Sequence, residues 1–110
     1  MKFVALVYLE DHKLRAVPDS ECMDCGKGFH AAGKLVAAES LQPVAAAKTL
    51  RIRQGAVHVV DGPFAETKEL LAGFYLLDAK DMDEALAMAA KIPPAREGSI
   101  EVRPVRDLEV

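Results

Sequence analysis

The chain has 110 residues, 51% of them hydrophobic and 28% charged, which is room for one hydrophobic core and one domain, residues 1–110. A formal charge of −3 gives no basic field for a phosphate backbone, and no run approaches the ~20 apolar residues of a membrane span. Neither a nucleic-acid nor a membrane partner is therefore expected.

The opening run Lys2–Leu9, rich in Val and Leu, is closed by Glu10-Asp11 and has no small-residue cleavage site. It is expected to be a strand in a cytoplasmic protein. Pro18-Asp19-Ser20 supplies a helix start with Asp19 or Ser20 as N-cap, and Cys22, Cys25, Phe29 and Ala32 form one stripe that Gly33 can end. Leu35–Leu41 is the next strand, closed by Gln42-Pro43. Thr49–Arg53 and Val57–Val60 flank Gln54-Gly55 and read as a hairpin. Asp61-Gly62-Pro63-Phe64 is a turn cluster, and Gly73–Ala79 is a further strand. Asp81-x-x-Glu84 opens a helix with Met82, Ala85, Leu86, Ala89 and Ile92 inward, stopped at Pro93-Pro94, and Ile100–Val105 is the last strand.

The order is β-α-β, an inserted hairpin, then β-α-β, an α+β ferredoxin-like pattern with one embellishment. Strand parity adds a constraint. Phe3, Val7 and Leu9 point one way and Val4, Leu6 and Tyr8 the other, while Phe74 and Leu76 oppose Tyr75 and Leu77, so both faces are apolar. Two helices cover one face, and the most economical cover for the other is a second copy packed sheet to sheet as a homodimer.

The stretch Val60-Asp61-Gly62-Pro63-Phe64-Ala65-Glu66-Thr67-Lys68-Glu69 resembles the DGPF signature of YCII-related proteins. Met1-Lys2-Phe3, Glu39-Ser40-Leu41-Gln42-Pro43 and Gly98–Val105 resemble the family at matching places. The resemblance implies a ferredoxin-like subunit in a dimeric α+β barrel. It also implies, for some members, a link to extracytoplasmic-function sigma factors, so a regulatory role stands beside a catalytic one. A more distant branch of the family uses a His-Asp pair with its His near the first helix. Here that region reads Pro18-Asp19-Ser20-Glu21-Cys22, and the pair does not carry over.

Asp61 admits two readings: a carboxylate that caps its turn, or a partly buried general acid/base whose pKa is raised by Phe64 and its neighbours at the mouth of a pocket between sheet and hairpin. Lys68 can neutralise a substrate carboxylate or enolate, with Glu66 and Glu69 in the same charged stretch, or all three can be a solvated loop. Tyr8, Glu39, Phe64 and Glu66 are candidate ligand contacts, the first two because parity can aim them at an inner sheet face. The ligand of such a pocket is a small organic molecule, an acid or lactone, with isomerase- or lyase-like proton transfer or binding without turnover as its use. Cys22-x-x-Cys25 with His30 falls a ligand short of a tetrahedral zinc site and lies on the apolar stripe, so no metal or cofactor is expected. His12 and His58 are read as surface or hairpin-face residues.

Overall fold

A computed structural model describes residues 1–109. In chain order it contains β1 (Lys2–Leu9), α1 (Asp19–Ala31), β2 (Leu35–Ser40), β3 (Lys48–Arg53), β4 (Ala56–Asp61), β5 (Leu70–Asp78), α2 (Met82–Ala89) and β6 (Ser99–Pro104), with short 3₁₀ turns between some of them. Strands β2-β5-β1-β6 form one antiparallel sheet and β3-β4 a separate hairpin. This is the ferredoxin-like α+β arrangement, with the hairpin inserted between β2 and β5.

The sheet is built on the alternation of β1. Phe3, Ala5, Val7 and Leu9 are buried beneath the helices, where they meet Tyr75 and Leu77 of β5, Phe29 of α1 and Ala85, Met88 and Ala89 of α2. The Phe29 and Tyr75 rings meet edge to face, 6.0 Å between centroids. That geometry suits the ring quadrupoles. On the other side Val4, Leu6, Tyr8, Phe74 and Leu76 are half-buried, and neither helix covers them. The molecule is a slab 46 × 42 × 19 Å with a radius of gyration of 15.6 Å. A packed chain of this length has a radius of about 13 Å.

The hairpin accounts for much of the excess. Its turn places Gln54 and Gly55 at φ 52° and 77°, the two left-handed positions of a two-residue connection that matches strand twist. Eleven of its twelve strand residues are exposed, Thr49 excepted, and its only substantial packing is strand against strand. The register pairs Lys48 with Asp61, Leu50 with Val59 and Ile52 with Val57, so these six residues share one face. Leu50, Ile52, Val57 and Val59 on that face are 54–60% exposed.

Several expected details shift. The cap of α1 is Pro18 rather than Asp19 or Ser20: its fixed φ of −60° sets the entry, its carbonyl accepts from the Glu21 N–H at 3.0 Å, and no side chain caps the helix. β5 begins at Leu70, three residues before Gly73, because a bulge opposite Val7 and Tyr8 lets the strand continue. α2 ends at Ala89; Leu86 is half exposed, and Met88 takes the inward place. Ile92 is buried as expected, but from the turn that follows the helix. The Asp81 cap forms, its carboxylate accepting from the Glu84 N–H at 2.9 Å.

Glu84 also binds Lys34 Nζ at 2.7 Å, tying α2 to the start of β2. The Lys34 hydrogen bond, and then that from the Lys80 N–H, hold its carboxyl below the ordinary value of 4.5. A carboxylate with a lowered folded-state pKa stabilises fully above the unfolded value and loses that contribution as pH falls through the folded one. Glu84→Gln should therefore lower Tm at neutral pH, with the gap to wild type closing as the solution is acidified through and below the ordinary carboxylate value. A constant gap in melting scans across that range would contradict this linkage.

Gly98 marks a close backbone approach. A Cβ there would stand 2.1 Å from the Tyr8 carbonyl oxygen and 2.8 Å from Leu9 Cδ2. Because the first obstacle is backbone, Gly98→Ala should cost about 2–3 kcal/mol. The thermal midpoint should fall on the order of 10 °C. A midpoint within about 2 °C of wild type would show that β6 can move away from β1 freely.

Candidate functional site

Two features of the fold converge on Tyr8. The bulge pairs Val7 with Gly73 but Tyr8 with Leu71, adding one residue to β5 and re-aiming the strands at that level. On the other side Gly98 lets the chain entering β6 lie against the Tyr8 carbonyl, which aligns Tyr8 with Ser99. The segment Thr67–Glu69 then closes the end of this three-strand platform.

The result is an open cleft of about 690 Å³ lined by Tyr8, Thr67, Lys68, Glu69, Ser99, Ile100 and Glu101. That volume suits a small organic ligand. The Ser99 hydroxyl donates to Glu69 Oε1 at 2.6 Å, and Thr67 Oγ1 donates to the Glu69 carbonyl at 2.5 Å. The Thr67 bond fixes the backbone that presents Lys68. Glu101 pairs with Arg103 on the same strand. The Tyr8 hydroxyl has no protein hydrogen-bond partner among the described residues.

Glu10 stands behind the cleft. Its carboxylate lies 3.6 Å from Lys68 Nζ and 3.4 Å from Lys13 Nζ, with His12 at 3.9 Å. Desolvation works to raise its pKa, but the Lys13 hydrogen bond and the charges of Lys68, Lys13 and His12 outweigh it and hold the group below the usual carboxylate range. Glu10 is therefore an anion at neutral pH that anchors Lys68 from one side. Lys68 itself is 85% exposed, so its ammonium remains open to a second anion.

Of the residues expected at a site, Tyr8 and Lys68 come together here, and the others do not. Asp61 is a correction: its side chain is 86% exposed and paired with Lys48 Nζ at 2.6 Å, not partly buried beneath Phe64. Nor does it cap its own turn, which is held instead by the Gly62 N–H donating to Ala47 O at 2.8 Å and Thr49 Oγ1 donating to Gly62 O at 2.9 Å. Phe64 is 77% exposed, with the Arg51 guanidinium 5.6 Å from its ring centroid. Glu66 is exposed and outside the cleft. Glu39 is exposed on the edge strand opposite Phe74 and borders a separate hollow of about 660 Å³ between α1 and the β2-β5 edge. Neither hollow lies between sheet and hairpin, and among the described residues the hairpin strands pack substantially only on each other.

Sequence reasoning missed Glu10, Ser99 and Glu101 and gave Glu69 only a place in a charged loop. Their signal was weak: Glu101 and Ser99 are legible only once the register sets them opposite Leu6 and Tyr8. Cys22 and Cys25 are half-buried and free. Burial raises the pKa of both, with the charges of Asp19 and Glu21 adding to the shift at Cys22 and that of Cys22 at Cys25. The Cys25 thiol donates to Lys91 O at 3.5 Å.

An uncharacterized protein of Rhizobium meliloti (strain 1021) is 53% identical over 76 residues, covering 67% of this chain and 61% of the relative. The alignment thus spans less than two thirds of the relative's length. The family model described as the YCII-related domain matches residues 1–109, the same span over which the ferredoxin-like sheet, its two helices and the inserted hairpin are laid out. The chain belongs to the YCII-related domain family.

Proposed function

We propose that the chain is a homodimeric α+β barrel protein that binds a small organic acid or lactone in the Tyr8–Lys68 cleft. The observation that carries this reading is the convergence of an exposed ammonium, three hydroxyls and two carboxylates on one small hollow. Lys68 neutralises the ligand's carboxylate or enolate. Its existing tie to Glu10 is an exposed 3.6 Å pair, of a kind worth at most ~1 kcal/mol, so a bound anion competes with it or joins it. Tyr8 and Ser99 orient the ligand by hydrogen bonds, and Glu69 holds the Ser99 hydroxyl in place.

The dimer follows from uncovered apolar area. Four apolar side chains on one hairpin face are each more than half exposed, and fully burying one aliphatic side chain is worth about 1.5–3 kcal/mol. One hairpin thus offers on the order of 4–7 kcal/mol before the half-buried sheet strip is added. A carboxylate beside the ligand can take up or give back a proton, and within one chain Glu69 and Glu101 line the cleft while Asp61 does not. A regulatory module linked to an extracytoplasmic-function sigma factor would use the same cleft to hold an effector. The two uses separate on whether the ligand is recovered unchanged.

At micromolar concentration, sedimentation should give a particle of about twice the 11.9 kDa chain mass. A stable monomer there would refute the dimer. In a thermal-shift screen of small carboxylates, lactones and phenols, a ligand at 100 times its Kd should add about 2.7 kcal/mol of stability. For a carboxylate found this way, Lys68→Met should weaken binding roughly 10-fold or more, with Tyr8→Phe having a smaller effect. Unchanged affinity in Lys68→Met would move the site away from this cleft.

A further inference from the structure

We infer that the hairpin of one copy lies over the cleft of the other, so that each ligand site combines Tyr8 and Lys68 of one chain with Asp61 of its partner. The inference rests on the dimer proposed above and states what the second copy adds to the site.

The hairpin is two-sided. Thr49, Arg51, Arg53 and His58 share one face with Ala56 and Val60, while Leu50, Ile52, Val57 and Val59 occupy the other together with Lys48 and Asp61. An isolated two-stranded hairpin is marginal in water, and this one packs on no other part of its own chain to a substantial degree. Its apolar face is therefore built for a surface that one chain does not supply. The outward strip of the sheet, Val4, Leu6, Phe74 and Leu76, is such a surface and ends at the cleft.

Charge fixes which part of that surface the hairpin base meets. Lys48 and Asp61 stand at the base of the apolar face, 69% and 86% exposed, and the cleft presents Glu69 and Glu101 beside Lys68. Laid together, Lys48 meets the two carboxylates and Asp61 meets the lysine. Each copy carries both surfaces, so a two-fold operation satisfies both at once. The four apolar hairpin side chains are each 54–60% exposed, and the half-buried sheet strip adds to the area that each partner would cover. In this arrangement Asp61, solvated in its own chain, becomes covered and reaches the ligand held by Lys68.

Cross-linking between singly substituted chains tests this. In a Cys22→Ala, Cys25→Ala background, one chain carries Val59→Cys and the other Glu101→Cys, and they are mixed, exchanged and oxidised. The expected product is a Val59–Glu101 heterodimer as the main cross-linked species, with little from either chain alone. A particle that sediments as a dimer without this cross-link overturns the hairpin assignment and leaves the dimer standing. Val59-to-Val59 cross-links as the main species overturn it in favour of hairpin on hairpin. A monomer overturns both. Because the double alanine background removes half-buried side chains, Ile52→Asp in the otherwise native chain provides a second reading. It should raise the dimer dissociation constant at least ~100-fold by sedimentation, since a charge would enter an apolar contact. An unchanged dissociation constant would overturn the inference.

Discussion

The arrangement of the molecule depends on the central pair β1 and β5, which are apolar on both sides while the chain has helices for only one. On the helix side the demand is met in full: Phe3, Ala5, Leu77 and Ile92 are at most 1% exposed. On the other side Val4, Leu6, Phe74 and Leu76 shield one another only in part. A side-chain period of two leaves no register that would bury both sets against the same helices. The open face is thus a consequence of composition in two strands, and the thinness of the slab follows from it.

The hairpin makes sense under the same constraint. β2 and β5 are antiparallel neighbours, and such neighbours can be joined by a tight turn. Here the connection runs from residue 41 to residue 69 and carries two strands of its own. Nothing in the four-stranded sheet requires them. Their alternation gathers Leu50, Ile52, Val57 and Val59 on one face, and the turn at Gln54-Gly55 gives a connection that fixes the pairing and so the identity of that face.

Much of this was legible in the sequence because it depends on local periodicity. The alternation of residues 2–9, the two-residue turn of the hairpin and the Asp81 cap are short-range signals, and the structure contains all three. The site was less legible because it depends on register. Tyr8 could be placed on the outward face from parity alone, but its alignment with Ser99 depends on a bulge and on the Gly98 approach, both long-range. Asp61 was misplaced for a related reason: its pairing with Lys48 points it along the hairpin's apolar face, whereas the turn sequence suggested a residue facing its own loop.

The two faces of the sheet therefore carry different kinds of polar group. On the helix side the groups that could react are held in the wrong state for it. Burial drives the Tyr75 hydroxyl far above its ordinary pKa, with Cys25 and Cys22 adding to the shift, and raises both thiols as well. A nucleophilic or metal-binding thiol requires the opposite shift. Tyr75 instead uses its hydroxyl to donate to the Cys22 carbonyl at 3.4 Å, tying α1 to β5. On the outward face Glu10 is held ionised by its lysines, and the Lys68 side chain is open to water. Charged groups at an open cleft can exchange a solvent or side-chain partner for a ligand at little cost, whereas the helix-side groups would have to break packing first. That asymmetry leaves the groups able to change partners on the face that no helix covers.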